Sequence, residues 1–336
     1  MAADTGADDT VRAVMVTRTG GPDVLEVREL PAPEPGPGEL LVAVGASGVN
    51  FIDVYQREGR YPTPTPFVLG IECAGRVLAL GAGVDGFAVG DLVATAAASK
   101  GSHATTALVA AAQAVPVPDG IGADVAAAAM LQGMTAHYLT TSTYPLRAGD
   151  VALVHAAAGG VGQLLVQRVK GLGGRVVATV GSAAKAAIAA AVGADAVIRY
   201  DEMDSPAELA AAVRAAADGG VHVAYDGVGQ STFEASLASL RLRGMLVLYG
   251  AASGPVPPFD LQRLNAAGSL FVTRPTLGHH IATREELLWR ASEILGAVAD
   301  GSLHIAIGGR YPLERAADAY RDLEGRRTTG KLLLIP

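Results

Sequence analysis

Cysteine is almost absent from this 336-residue sequence, in which Cys73 stands alone. An intrachain disulfide is therefore excluded, and such usage is typical of a reducing compartment. No apolar run reaches the roughly 20 residues that a membrane helix requires; the alanine-rich tract 122–131 contains Asp124 and is followed by Gln132. Residues 1–10 lack the basic start and apolar stretch of a signal peptide. We expect a cytoplasmic protein whose first ten residues form a disordered tail.

Positive charge is also scarce. The chain has 26 Lys and Arg residues against 33 Asp and Glu residues, which gives a formal net charge of -7. A nucleic-acid surface needs a concentrated basic face, so this balance argues against one. Half of the residues are apolar, which allows a large core and, at this length, two domains.

Two patterns divide the chain. From 11 to 117, short β-like runs alternate with Pro/Gly turns, which predicts a small, β-rich, barrel-like domain. From 123 onward, apolar runs alternate with helix-length segments, which predicts βαβ units and a doubly wound parallel sheet with helices on both faces. The predicted strands of that sheet are 151–156, 175–180, 196–199, 221–225, 244–249 and 269–273, and a helix over 231–240 separates the fourth strand from the fifth.

The first predicted strand of this sheet ends in a glycine-rich turn, within VHAAAGGVG (154–162). Measured against G-x-G-x-x-G, Gly159 and Gly162 hold the second and third glycine positions, and Ala157 replaces the first. Gly159 would let the backbone approach a pyrophosphate, and the helix N-terminus offers unpaired N–H groups. A βα turn can need glycine for steric reasons alone. Strand, turn, helix and second strand in this order nevertheless predict a dinucleotide site.

The second strand ends without the acidic residue that an NAD site places there. An Asp or Glu about 20 residues after the turn would bind the ribose 2'-hydroxyl, whereas here the strand ends in Gly181-Ser182 and Lys185 follows. Glycine leaves room for a 2'-phosphate, and a hydroxyl and an ammonium can bind one. The pattern predicts NADPH as the cofactor; the alternative is that Lys185 is an ordinary solvated lysine.

Ligands for zinc are missing from the sequence. A β-rich domain ahead of a dinucleotide fold is typical of zinc alcohol dehydrogenases, whose catalytic zinc needs about three Cys, His or carboxylate ligands. Here residues 47–50 read Ser-Gly-Val-Asn, and Ile71 stands in Gly70-Ile71-Glu72 where a histidine ligand would lie. We predict no metal, and acceptors that are already electrophilic, such as quinones or conjugated carbonyls.

A series of stretches then gives the chain a family likeness. They are GVNFIDVYQREGRYP (48–62), GIECAGRV (70–77), QGMTAHYL (132–139), HAAAGGVGQ (155–163), TVGSAAK (179–185), YDGVG (225–229), GSLFVTRPTL (268–277) and GRRTTGKLLLIP (325–336). In this order the sequence resembles the zinc-free quinone oxidoreductases of the medium-chain dehydrogenase/reductase superfamily, the group that includes zeta-crystallin. The resemblance implies a GroES-like catalytic domain over 11–134, a Rossmann domain over 135–274 and a return to the catalytic domain over 275–336.

The resemblance also implies the residues of the site. Asn50, Tyr55 and Tyr61 would be catalytic and would line the nicotinamide and substrate cleft. The implied cofactor-binding residues are Thr135, Gly159, Gly160, Val161, Gly162, Gly181, Ser182, Lys185, Tyr200, Tyr249 and Arg326. Four of them would surround the 2'-phosphate: Ser182, Lys185, Tyr200 and Arg326.

The resemblance further implies a homodimer through the strand 268–274, whose apolar edge would risk aggregation if it stayed unpaired. The sequence departs from relatives at two places. Gln132 stands where relatives often carry lysine, and the segment 249–253 lacks an asparagine that some relatives have.

Three functional hypotheses follow. The leading one is NADPH-dependent quinone reduction without zinc. The second is an NADPH-dependent enone or enoyl reductase in which Tyr61 donates a proton. The third is a non-enzymatic, NADPH-binding or RNA-associated crystallin-like protein, against which the net acidity argues. Asp53 is expected either to orient a tyrosine or to pair with a basic residue, and His155 is expected to be structural. Asp226 ends a strand at the cofactor edge, where an Asp is also common as a turn or cap residue.

Overall fold

The computed structural model describes residues 10–336. They form two units: the first holds 10–131, 291–299 and 307–336, and the second holds 132–290 and 300–306. The expected tail lies outside the described residues except for Thr10, which begins the first strand. No helix within 10–336 combines the length and the apolar character needed to cross a membrane.

The strands, in chain order, are β1 (Thr10–Val16), β2 (Leu25–Pro31), β3 (Glu39–Val49), β4 (Phe67–Val68), β5 (Cys73–Leu80), β6 (Leu92–Thr95), β7 (Thr106–Ala110), β8 (Val115–Pro116), β9 (Val151–His155), β10 (Arg175–Val180), β11 (Ala196–Arg199), β12 (Val221–Asp226), β13 (Leu240–Leu248), β14 (Phe271–Thr273), β15 (Ile307–Pro312) and β16 (Lys331–Ile335).

The α-helices are α1 (Phe51–Arg57), α2 (Ala123–Tyr138), α3 (Gly160–Gly171), α4 (Ala183–Ala191), α5 (Pro206–Ala216), α6 (Phe233–Ala238), α7 (Gln262–Ala266), α8 (Leu277–His280), α9 (Arg284–Ala299) and α10 (Ala316–Glu324). Their starts follow local chemistry. For example, Ser205 caps α5 by accepting a hydrogen bond from the Glu208 N–H, and Pro206 takes the first helical position.

The first unit is mainly antiparallel, as its short runs and turns predict. A three-stranded sheet has the order β2-β1-β4. A seven-stranded sheet has the order β15-β16-β3-β5-β6-β8, with β7 also paired to β3. The last strand, β16, pairs antiparallel with β3 through Leu332–Leu334 and Ser47–Val49. The segment 331–335 therefore joins the same sheet as β3 and the strands β5 to β8.

The second unit contains a six-stranded parallel sheet in the order β11-β10-β9-β12-β13-β14. All five side chains of β9 are buried, as expected for a central strand covered by helices on both faces. The chain runs outward from β9 in one direction and from β12 in the other, so these two strands flank the point where ligands bind in this fold. The predicted α/β class, a doubly wound parallel sheet with a β-rich domain, is confirmed.

Several boundaries differ from the sequence-based expectation by one or two residues, for example β14, which is Phe271–Thr273 instead of 269–273. The largest difference lies between α6 and β13. The helix predicted over 231–240 ends at Ala238, and β13 begins at Leu240 instead of 244. The reason is an irregularity: Leu240 pairs with Val221, the register then shifts, and Arg243 adopts a φ of 58°. The sequence-based prediction assigns 241–243 to neither element, whereas these residues belong to a bulged strand.

The return of the chain to the first unit also comes later than the expected residue 275. Residues 275–290 belong to the second unit because they pack on the end of α2. The His280 ring stacks on Tyr138 with ring centroids 4.2 Å apart, and a guanidinium nitrogen of Arg290 lies 3.0 Å from Nδ1 of His137.

Candidate active site

The turn between β9 and α3 is shaped by close approach of its own backbone. Ala156 has a φ of 50°, and Gly159 precedes α3 as its extended N-cap residue. A Cβ on Gly162 would overlap the carbonyl oxygen of Ala156, and one on Gly160 would overlap the Gln132 side chain. Only glycine therefore fits at position 162, where the obstacle is backbone, whereas the Gln132 side chain could move away from a Cβ at position 160. Glycine at 162 is what close packing of a phosphate-binding helix on its strand requires.

The first N–H groups of α3 have no acceptor within the helix, since an α-helix leaves its initial donors unpaired. They belong to Gly160, Val161 and Gly162, and α3 is 12 residues long, so its dipole adds positive potential at the same end. The residues present therefore fit the pyrophosphate of a dinucleotide.

The end of β10 brings four predicted residues together. Ser182 caps α4, and its Oγ accepts a hydrogen bond of 3.3 Å from the backbone N–H of Lys185. A Cβ on Gly181 would lie 2.6 Å from the hydroxyl oxygen of Tyr200, so glycine leaves the space that the tyrosine occupies. The acidic residues beside Tyr200 are paired, because Arg199 binds Asp201 at 2.7 Å and Glu202 at 2.6 Å.

The remaining predicted cofactor residues lie in separate places. Thr135 is buried on α2. Tyr249 follows β13, and its N–H donates to the carbonyl of Asp226 at 2.9 Å. Arg326 belongs to the first unit, where it is exposed just after α10 with a φ of 55°.

In the first unit, Asn50 lies in a buried polar cluster. Its amide nitrogen donates to the Gly48 carbonyl at 3.0 Å and to Oε2 of Glu72 at 2.9 Å. Its amide oxygen accepts from Nζ of Lys331 at 2.6 Å, and Lys331 also binds Glu72 at 2.5 Å. Both amide hydrogens are thus committed inside the protein, so Asn50 can offer a ligand only an oxygen lone pair.

A second buried chain begins at Asp53, the third residue of α1. Its Oδ2 accepts from the Asn50 N–H and from the Tyr320 hydroxyl, each at 2.8 Å. Nε2 of His103 lies 2.7 Å from the Tyr320 hydroxyl oxygen, and Nδ1 lies 2.7 Å from Oγ of Ser47. Of the two roles that the sequence left open for Asp53, the structure shows the first, hydrogen bonding to a tyrosine.

The two predicted tyrosines pack on each other. The Tyr61 N–H donates to the Tyr55 carbonyl at 3.1 Å, and the rings meet edge to face with centroids 5.4 Å apart. Tyr55 is buried, whereas Tyr61 is 44% exposed. Tyr61 is therefore the phenol of this pair that solvent or a ligand can reach.

Sequence reasoning missed several members of these clusters, namely Glu72, His103, Tyr320 and Lys331. Glu72 and Lys331 lie within stretches that carry the family likeness, but they are 259 positions apart, and a single sequence holds no signal that pairs them. Within residues 10–336, no group of three His, Cys, Asp or Glu side chains could hold a metal ion.

The parallel sheet with its glycine turn, together with the antiparallel first unit, defines a two-domain dehydrogenase or reductase of the medium-chain type. Residues 36–144 match the family model described as "Alcohol dehydrogenase GroES-like domain", and residues 160–290 match "Zinc-binding dehydrogenase".

Individual relatives narrow this class. The chain is 45% identical to a quinone oxidoreductase of Pseudomonas aeruginosa, over 94% of this chain and 97% of that protein. It is 38% identical to a 2-haloacrylate reductase of a Burkholderia species, over 97% and 99% of the two chains. A mycobacterial structure complexed with NADPH is 49% identical, with a TM-score of 0.94 over 97% of this chain and all of that one. The chain belongs to the quinone oxidoreductase family, which confirms the resemblance.

Proposed function

We propose that this protein reduces quinones with NADPH. The observation that carries the cofactor choice is the end of β10, where Gly181, Ser182 and Lys185 stand in place of a ribose-binding carboxylate. A carboxylate there would repel a 2'-phosphate, whereas the Ser182 hydroxyl and the Lys185 ammonium can bind it. The P. aeruginosa relative and the NADPH-bound neighbour support both parts of the proposal.

The residues of the second unit would hold the cofactor in two places. The N–H groups of 160–162 would bind the pyrophosphate, and the pocket of Ser182, Lys185 and Tyr200 would bind the 2'-phosphate. Bound NADPH supplies the hydride. Arg326, which the resemblance implies as a further cofactor residue, belongs to the first unit.

The first unit would contribute the acceptor-binding groups. Tyr55 and Tyr61 offer an aromatic surface, of which the Tyr61 ring is the exposed part, and a planar quinone can stack on such a surface. Lys331 and Glu72 fix the Asn50 amide, so Asn50 would present its oxygen in one orientation. A quinone carbonyl is already electrophilic, so these residues need only bind and orient it.

The cofactor assignment is tested with Lys185→Ala. Loss of a charge-assisted contact of about 1.5–3 kcal/mol should weaken NADPH binding about ten- to a hundredfold and leave NADH binding nearly unchanged. Lys170→Ala is the matched control, because Lys170 lies in the same unit but pairs with Asp195 at 2.8 Å. Titration calorimetry with both nucleotides gives the result; equal losses for NADPH and NADH in Lys185→Ala would refute the 2'-phosphate role.

A second candidate function is the reduction of a conjugated carbon–carbon double bond with NADPH. It is favoured by the exposed side chain of Tyr61, whose phenol can donate a proton to an enolate, and by the relative named 2-haloacrylate reductase. The two candidates differ in the acceptor: the first predicts turnover of quinones, and the second predicts turnover of α,β-unsaturated carbonyl compounds.

We also propose a homodimer and a cytoplasmic location. β14 is the edge strand of its sheet, and Phe271 is 55% exposed there. A second copy of β14 would pair with this edge and cover its apolar side chains. The lone, buried Cys73 suits the reducing cytoplasm.

A further inference from the structure

Four buried side chains form one hydrogen-bonded chain at the carboxyl ends of β9, β10 and β12. Thr179 Oγ1 lies 2.7 Å from Nδ1 of His155, and Nε2 of His155 lies 2.9 Å from Oγ of Ser236. Ser236 donates to Oδ2 of Asp226 at 2.7 Å. All four side chains are fully buried. Neither the sequence likeness nor the glycine turn assigns a role to this chain.

The position of each proton in the chain follows from Asp226. Its carboxylate accepts from the N–H groups of Val228 and Gly229 at 2.8 and 3.0 Å and from the Thr232 hydroxyl at 2.7 Å, besides Ser236. Because the Ser236 proton points to Asp226, Ser236 Oγ must accept from Nε2–H of His155. Nδ1 of His155 then accepts from the Thr179 hydroxyl. Burial also lowers the pKa of His155, so its ring is neutral.

This arrangement is not a hydrolytic triad, although it contains serine, histidine and aspartate. In such a triad the histidine lies between the serine and the carboxylate and removes the serine proton. Here Ser236 lies between His155 and Asp226, and its hydroxyl donates a hydrogen bond to the carboxylate. The chain is also closed to solvent, so Ser236 has no access to a substrate.

The hydrogen-bonded chain of Thr179, His155, Ser236 and Asp226 joins three segments that carry or contact the candidate cofactor residues. His155 is followed directly by the glycine turn. Thr179 precedes Gly181-Ser182, and its carbonyl accepts from the Ala157 N–H of the turn at 3.2 Å. Asp226 holds the loop after β12, and its carbonyl accepts from the Tyr249 N–H.

We propose that Thr179, His155, Ser236 and Asp226 are positioning residues that hold these three segments in the arrangement that binds the dinucleotide. A fully satisfied buried network is rigid and specifies one geometry, and each of its members lies within two residues of, or bonds directly to, a candidate cofactor segment. The inference rests on the proposed use of a nicotinamide dinucleotide. Ser236 bonds to His155 and Asp226, which adjoin the glycine turn and Tyr249. These segments serve parts of the cofactor that NADPH and NADH share, so loss of the Ser236 hydroxyl should affect both cofactors alike.

Ser236→Ala tests the proposal, with Ser239→Ala as its matched control. Ser239 is also buried on the segment after β12, but its hydroxyl bonds only to the Ala235 carbonyl, at 2.6 Å, among the contacts described. In Ser236→Ala the dissociation constants of NADPH and NADH should rise by the same factor, about five- to thirtyfold for loss of a buried hydrogen bond. The KM for NADPH should rise likewise, while kcat at saturating cofactor changes much less. Ser239→Ala should bind both nucleotides as the wild type does.

A second pair of variants covers the case in which Ser236→Ala fails to fold. Thr179→Val keeps the shape and removes the hydroxyl, so it should weaken both nucleotides, whereas Thr179→Ser keeps the hydroxyl and should restore their binding. Unchanged affinity in Ser236→Ala and Thr179→Val, a loss confined to NADPH, or an equal loss in Ser239→Ala would overturn the proposal. A wild-type protein that binds neither nucleotide would overturn the proposed function as well, which separates the two failures.

Discussion

Asp53 and His103 are two buried titratable groups whose pKa values move in opposite ways. Burial raises the pKa of Asp53 to about 7, against the lowering effect of the hydrogen bonds from Tyr320 and Asn50. Within residues 10–336 its Oδ1 has no hydrogen-bond partner, so this oxygen is not stabilised by a hydrogen bond when the group is ionised. Burial, and then the nearby Lys331 ammonium, lowers the pKa of His103 to about 3.

The two shifts have opposite effects on stability. Between pH 3.8 and about 7, Asp53 is protonated in the folded state and ionised in the unfolded state, so the free energy of unfolding falls as the pH rises. Between about pH 3 and 6.5, His103 is neutral in the folded state and charged in the unfolded state, so the free energy of unfolding rises with pH. Each group alone contributes up to about 1.4 kcal/mol per pH unit, and the two contributions nearly cancel.

Removing either group should therefore reveal the effect of the other on the pH dependence of the free energy of unfolding. From pH 4 to 6.5, Asp53→Asn should become more stable with rising pH relative to the wild type, and His103→Gln should become less stable with rising pH. Urea denaturation of the three proteins across this range measures both slopes. Slopes of the same sign in the two variants would contradict the account.

At the scale of single residues, the sequence predicts what lies close along the chain. Ser182 and Lys185 are three positions apart, and the structure joins them at the start of α4. The partner of Asp53 could not be named, because Tyr320 is 267 positions away. The commitment of both Asn50 amide hydrogens was not foreseen either, since it depends on Glu72 reaching Asn50 through the fold.

At the scale of elements, the sequence predicts the bounds of a strand correctly where an apolar run has clear ends. The predicted bounds are wrong where a strand is irregular. β10 and β11 have the predicted bounds, because turns flank both runs. β13 begins before the predicted residue 244 because its first part is a bulge that contains Arg243 and Gly244. Such a bulge is set by pairing with β12, and pairing is not visible in the pattern of one segment.

The edge strand β14 carries the proposed dimer contact. Phe271→Glu places a charge on the edge at a side chain that is 55% exposed. Because the charge would have to be desolvated in the dimer, the dissociation constant of the dimer should rise at least tenfold. Leu172→Glu is the control, since Leu172 is also exposed but follows α3. Sedimentation equilibrium gives the association constants. A monomeric wild type, or a Phe271→Glu dimer as tight as the wild type, would refute this interface.

At the scale of the whole molecule, alternation of strands and helices predicts a parallel sheet with its cofactor site at the ends of the first two strands. The six-stranded order with β9 and β12 at its centre fits that prediction. The resemblance implies a return to the catalytic domain over 275–336, whereas residues 275–290 and 300–306 group with the second unit. The difference arises because stacking of His280 on Tyr138 keeps α8 with the second unit, and ring stacking between distant segments leaves no periodic signal.

The central claim is NADPH-dependent quinone reduction, and one measurement tests it most directly. Purified protein is mixed anaerobically with NADPH, or with NADH as the control, and with one ortho-quinone, one para-quinone or one α,β-unsaturated ketone at matched concentrations. Nucleotide oxidation is followed by absorbance. The account predicts fast turnover that is confined to the quinones and to NADPH. Turnover chiefly with the unsaturated ketone, or equal rates with NADH, would contradict it.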